Sequence, residues 1–328
     1  MPSAILAEVR RGGHIESLHV GSLVVCDDQG KLVFSLGDPD CATFPRSAIK
    51  ALQALPLVAS GAADRWALTP RELALACASH IGTPIHTETA ASMLAKAGRD
   101  LTCLECGTHW PSSTTSARAL AAAGHAPSAL HNNCSGKHAG FICTAVGAGR
   151  DPTGYIQPDH PTMRGVVAAV AAATGARLDA ANRGIDGCSI PTFVTPLRAI
   201  ATGFARFGAG VGLPEEFAQA AARLRAAVAA YPDMVAGEGR FDTQVMEALG
   251  QAAFVKGGAE GVLAGAMPAL GLGFALKVDD GAARAADACA AWLLARFLGE
   301  HAVLSKWADQ QLRNWNGIAV GTVSASTP

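Results

Sequence analysis

Charge is the first scarcity. Only 16% of the 328 residues are Asp, Glu, Lys or Arg, where an ordinary soluble chain carries roughly 25%. Half of the residues are apolar, which excludes disorder over most of the length and leaves ample material for a large core. Neither sign prevails: the formal net charge is −1, and no run of five or six like charges occurs. Nucleic acid and anionic membranes are therefore not expected partners. The apolar stretch Gly261 to Leu276 is short of a bilayer span and is broken by Gly265, Pro268, Gly271 and Gly273. Met1 to Val20 carries Glu8, Arg10 and Arg11 where a secretory leader needs an unbroken apolar centre. With nine cysteines, an odd number, a reducing, cytoplasmic setting is expected. Lysine is scarcer still, seven against nineteen arginines. A chain that uses arginine for plain surface charge can reserve lysine for places where an amine must lose its proton.

Against these absences, the chain is well punctuated. From Ala4 to Gly37 it is β-branched and apolar, broken at Arg11-Gly12-Gly13 and Asp27-Asp28-Gln29-Gly30, which predicts a meander. From Ser47 to about Leu249 the pattern is helical, with starts such as Thr69-Pro70 and Thr83-Pro84 and glycine stops at Gly61, Gly82, Gly98, Gly124 and Gly175. Seven or eight helices are expected there. Strand patterns return at Ala253–Lys256, Val262–Ala264 and Leu272–Val278, followed by an amphipathic helix over Ala282–Leu298 and a final strand over Ile318–Val323. The fold class expected is α/β in the α+β sense. It is a single catalytic unit whose sheet comes from both chain ends (1–46 and 250–328), with a helical lobe (47–249) inserted and a cleft between them.

Five groups of residues can carry chemistry. Ser47-Ala48-Ile49-Lys50 stands where strands give way to helix, and a lysine three residues after a serine lies one turn above it on the same face. A neutral amine there can take the serine proton during attack on a carbonyl; the same tetrapeptide also describes an N-cap serine with an exposed lysine. Ser79, in Ala78-Ser79-His80, and Lys256, in Lys256-Gly257-Gly258, follow in the order and setting of serine β-lactamases and penicillin-binding proteins. No Ser-Asp-Asn box is present, and glycine follows Lys256 where a hydroxyl is expected, which argues against β-lactam turnover. Cys134 and Lys137, at i and i+3, can converge with the glycine-flanked Cys188 as metal donors, or the two cysteines are buried core residues. Cys103 and Cys106 with His109 form a rival metal or redox group, structural or undecided. His80 and His86 bracket Gly82-Thr83-Pro84, so one of them is expected beside Ser79 or at a helix end.

Taken in order, Pro45-Arg46-Ser47-Ala48-Ile49-Lys50 with Gln53, Ala78-Ser79-His80, Cys106-Gly107-Thr108-His109, Asn133-Cys134-Ser135-Gly136-Lys137-His138-Ala139-Gly140, Asp186-Gly187-Cys188, Lys256-Gly257-Gly258-Ala259-Glu260-Gly261 and Leu276-Lys277-Val278-Asp279-Asp280-Gly281 resemble the Rhizobium etli type of L-asparaginase over nearly the whole chain. Ile81 and Ser189-Ile190 are local departures. The resemblance implies a serine β-lactamase-like fold, a homodimer, and hydrolysis of L-asparagine to L-aspartate and ammonia through two pairs, Ser47 with Lys50 and Ser79 with Lys256. It also implies a zinc ion held by Cys134, Lys137 and Cys188 that tunes substrate binding. Arg46, His80, Asn133 and Asp186 are the candidate substrate-binding residues. Two other readings stand beside it: another Ser-Lys amidase or penicillin-recognising hydrolase, and a zinc-containing binding protein without catalysis.

Overall fold

The computed structural model describes residues 2–326. Eight antiparallel strands from the two ends of the chain form one sheet. The first part supplies β1 (Ala4–Arg11), β2 (His14–Asp27) and β3 (Leu32–Leu36); the last part supplies β4 (Phe254–Gly257), β5 (Val262–Met267), β6 (Leu272–Val278), β7 (Asp309–Arg313) and β8 (Ala319–Ala325). The order is β7-β8-β1-β2-β6-β5-β4, with β3 paired to the second half of β2. The predicted meander is present, turning at Gly12 and Gly13, both left-handed. The register Ala7↔Ala325 and Val9↔Val323 between β1 and β8 joins the ends.

Strand β5 is buried along its whole length, because helices cover both faces of the sheet. One is Leu197–Ala209, packed on β2, β5 and β6; another is Ala283–Leu298, packed on β1, β5, β6 and β8. The first lies so close to β6 that a Cβ at Gly273 would stand 2.1 Å from the Ala201 carbonyl oxygen. Phe204 of that helix stacks on Phe254 of β4 with centroids 5.7 Å apart, and Phe207 meets the same ring edge-on at 5.2 Å. This core joins the sheet to the helical part of the chain.

The α+β plan expected from the sequence is the one observed, with differences in detail. The middle of the chain is cut more finely than seven or eight helices: Arg46–Arg65 alone holds a 3₁₀ turn and three short helices. Two small ribbons, Ala42–Thr43 with Thr195–Pro196 and Arg183–Ile185 with Pro191–Phe193, are too short to leave a period-two signal. Helix Ala302–Ala308 and edge strand β7 were also unanticipated; the strand's sequence, Asp-Gln-Gln-Leu-Arg, is polar because it borders solvent. Among the described residues, no helix is long and apolar enough to cross a membrane.

Candidate active site

A cavity of about 390 Å³ opens between the end of β4 and the helical part. Nine of the eleven residues expected to act in catalysis, substrate binding or zinc binding line it: Arg46, Ser47, Ser79, His80, Asn133, Cys134, Asp186, Cys188 and Lys256. The other two, Lys50 and Lys137, are buried behind the wall and reach these residues by hydrogen bonds.

Ser47 lies in a 3₁₀ turn, Arg46–Ile49, that leads into the helix carrying Lys50. Arg46 is held at φ +50°, a left-handed conformation that costs an L-residue of order 1–3 kcal/mol. Its Nε donates to Asp186 Oδ1 at 2.7 Å, which ties the turn to the Gly187-Cys188 loop. The end of β4 presses on the same turn: a Cβ at Gly258 would meet the Ala48 nitrogen at 3.0 Å and the Pro45 oxygen at 3.1 Å. A side chain after Lys256-Gly257 would therefore push against the turn, and Gly257 N–H donates to Asp242 Oδ2 at 2.9 Å.

The lysines are wired differently from the two expected pairs. Lys50 Nζ donates to Ser79 Oγ at 2.8 Å, to the Ala78 carbonyl at 2.6 Å and to Cys134 Sγ at 3.0 Å. Three acceptors match the three N–H bonds of an ammonium. Among the described residues, no side-chain hydrogen bond joins Lys50 to Ser47. Lys256 Nζ donates to the Gly257 carbonyl at 2.5 Å and lies 3.5 Å from Asp242 Oδ2. Burial pushes its amine down to about 8, with Lys50 adding to the shift and Asp242 opposing it.

Cys134 and Cys188 share a hydrogen bond, and Lys137 Nζ donates to Cys188 Sγ at 3.1 Å. That shared bond, with Lys50 and Lys137 nearby, holds the Cys134 thiol well below its ordinary range and pushes Cys188 up. Each sulfur thus accepts from one lysine amine, Cys134 from Lys50 and Cys188 from Lys137. Burial works against the Lys137 ammonium, but Cys188, Cys134 and Asp186 outweigh it and raise its pKa. Two thiols and an amine, all buried and in contact, match a tetrahedral zinc site with one open position, provided that the amine loses its proton on binding. Among the described residues, no cluster of three or more His, Cys, Asp or Glu side chains could hold a metal ion.

His80 and His86 stack with centroids 4.9 Å apart. Gly82 N–H donates to His80 Nδ1 at 3.1 Å, so Nε2 carries the proton and donates to Ser135 Oγ at 2.9 Å. Burial holds His80 well below the ordinary histidine range. His86 serves a helix end, bonding Thr83 Oγ1 and the Asp233 carbonyl. All nine cysteines are free thiols, and the Cys103–His109 loop is a brace. His109 Nε2 accepts from Asn133 N–H at 2.9 Å, Asn132 Nδ2 donates to the Cys106 carbonyl at 2.9 Å, and burial pushes the Cys106 thiol up to about 12. Sequence reasoning missed Asp242, Arg240 and Asp287, which also line the cavity. Asp242 and Asp287 lie in ordinary helices and Arg240 just before one, with no motif around them.

A family model described as L-asparaginase II matches residues 7–325. No curated protein matches the chain. Among solved structures, the chain is similar to Mglu in its native form, with a TM-score of 0.38 and 15% identity, covering 86% of this chain and 64% of that one. It therefore spans less than two thirds of Mglu. It is also similar to the LovD6 mutant of simvastatin synthase from Aspergillus terreus (TM-score 0.40, 12% identity, covering 88% and 92%) and to a candidate β-lactamase from Bacteroides dorei DSM 17855 (0.38, 13%, 79% and 84%).

Proposed function

The chain belongs to the L-asparaginase II family, and on that premise we propose that it is an L-asparagine amidohydrolase of the Rhizobium etli type, working through a seryl ester. The observation that carries this reading is the convergence of Ser47, Ser79 and Lys256 on one cavity, with buried Lys50 hydrogen-bonded to Ser79. Ser47 Oγ attacks the side-chain carboxamide carbon. Its proton travels through the Ser79 hydroxyl to an amine, and the amide nitrogen takes a proton by the same route and leaves as ammonia. Because Lys50 already donates to three acceptors, Lys256 is the better base: burial keeps its amine neutral in a useful fraction near pH 8. Water then cleaves the ester along the reverse path.

The guanidinium of Arg46 and the carboxylate of Asp186, already paired with each other, have remaining donors and acceptors suited to the substrate's α-carboxylate and α-ammonium. His80 and Asn133 complete that wall. Zinc held by Cys134, Lys137 and Cys188 would supply a Lewis-acidic point that orients the substrate. We also propose a homodimer in the cytoplasm. The decisive assay is ammonia release from L-Asn, L-Gln and D-Asn by purified protein. Release from L-Asn above the other two is expected, and none from L-Asn overturns the reading.

A further inference from the structure

Asp242 lines the cavity and takes no part in the proton path through Ser79 and Lys256. It is the second residue of the helix Phe241–Leu249 and is 7% exposed. Its chain neighbours are fixed by contacts of their own: Phe241 meets the Trp307 ring edge-on at 5.3 Å, and Thr243 Oγ1 donates to the Pro232 carbonyl at 3.3 Å. The start of a helix also favours a negative charge. The carboxylate is therefore held in place independently of the lysine it faces.

That carboxylate meets the end of β4 at two points. Oδ2 accepts from Gly257 N–H at 2.9 Å and stands 3.5 Å from Lys256 Nζ, which itself donates to the Gly257 carbonyl. A Cβ at Gly257 would stand 3.3 Å from Asp242 Oδ1, so the carboxylate lies against this peptide unit. Among the described residues, Asp242 is the carboxylate within ion-pair range of the Lys256 amine. Lys50 is bonded to Ser79, Ala78 and Cys134, Arg46 pairs with Asp186, and the thiol of buried Cys77 is pushed up to about 12. Arg240 and Asp287 line the same cavity, and β5, the neighbour of β4, carries no charged residue. Asp242 and Cys134 favour the charged form of Lys256, while burial and Lys50 oppose it. Buried ion pairs add little stability, because desolvation offsets their attraction. A carboxylate kept beside a lysine in this cavity therefore points to a part in the reaction.

We propose that Asp242 is the positioning residue of the proton path: it fixes the Lys256-Gly257 strand end and steadies the Lys256 ammonium between its two proton transfers. The proposal rests on the amidohydrolase reading above. As Ser47 attacks, its proton passes to Ser79, the Ser79 O–H bond breaks and a new N–H bond forms on the Lys256 lone pair. That N–H bond breaks when the amide nitrogen is protonated through Ser79 and leaves as ammonia. Asp242 stays ionised throughout and neither gives nor takes a proton. It acts through Lys256, as the carboxylate of a catalytic triad orients its base and stabilises the charged form.

The test uses the purified full chain and two charge-free variants. Asp242→Asn keeps an acceptor for Gly257 N–H, and Asp242→Ser suits a helix start. With lysine labelled by ¹³C at Cε, the seven lysines give few signals, and the one lost in Lys256→Met is that of Lys256. Its titration needs no turnover. In both variants its midpoint is expected to fall by about one pH unit, since removing a nearby negative charge disfavours the ammonium. With L-Asn as substrate, the acid limb of the rate profile should move down with it, the plateau rate should fall at least about tenfold, and KM should change less than about threefold. Asp242→Glu is expected to restore the midpoint. Equal Lys256 midpoints in the wild type and the charge-free variants overturn the proposal, even in a protein that hydrolyses L-Asn. An unchanged plateau rate overturns it too and leaves Asp242 as a brace for the strand. A protein that releases no ammonia from L-Asn overturns the amidohydrolase reading, while the lysine titration still decides whether Asp242 governs the amine.

Discussion

At the scale of single residues, the site depends on which hydroxyl is acylated and which amine is neutral. Ser47 and Ser79 share the cavity, but only Ser79 is hydrogen-bonded to a lysine in the free protein, which suits a relay. Ser47→Ala should lower turnover by at least about 10³-fold with the fold intact. Mass spectrometry of rapidly quenched wild type should find the β-aspartyl adduct on the peptide containing Ser47. An adduct on the Ser79 peptide reverses the two roles. Lys256 sets the pH dependence. A lysine whose pKa is pushed down to about 8 is protonated below that pH and cannot accept a proton, so the rate should fall about tenfold per unit below pH 8 and level off above it. Lys256→Met should abolish activity at every pH and lower thermal stability with the fold kept, since it leaves the Asp242 carboxylate without its buried lysine partner. Full activity in that variant makes Lys256 a strand-end charge and nothing more.

At the scale of elements, what places the nucleophile is the contact between the end of β4 and the turn at Arg46–Ile49. Gly258→Ala would bring a methyl group to 3.0 Å from the Ala48 nitrogen, and the turn would have to yield by a few tenths of an ångström. A loss of about tenfold or more in kcat is expected from such a displacement, with a small change in melting temperature; unchanged kcat would show that the contact does not position Ser47. Much of this assembly was legible in the chain. The Ser47-x-x-Lys50 step from strand to helix, the return of strands at Phe254 and the glycines after Lys256 are local signals with local physical causes. The crossed wiring was not legible: Lys50 meets Ser79 and Cys134 only because three distant segments pack together, and no spacing encodes that. Asp242 and Asp287 escaped notice for the same reason, each being an isolated acidic residue in an ordinary helix. The short ribbon Arg183–Ile185 with Pro191–Phe193 was missed although it carries Asp186 and Cys188 on its connecting loop, because three-residue strands show no periodicity.

At the scale of the whole molecule, the thiol pair and its two amines connect the site to metal content. Protein purified without chelator should contain close to one zinc per chain, and a Cys134→Ser, Cys188→Ser variant should contain none. Stripping the metal should raise KM more than it lowers kcat if zinc serves ground and transition states alike. Elemental analysis with paired kinetics checks both, and metal retained in the double variant would return both cysteines to the core. The sheet itself has a separate consequence. Its two terminal strands lie side by side in register, Ala7 opposite Ala325, while Ser47 and Lys256 are carried on opposite sides of the inserted helices. The backbone is therefore nearly a closed ring, and what matters for the site is the circuit rather than where it is cut. A circular permutant that links the present ends by a few residues and reopens at the exposed Gly124 turn should fold to the same cavity. It would also be translated in a different order, with Lys256 made before Ser47.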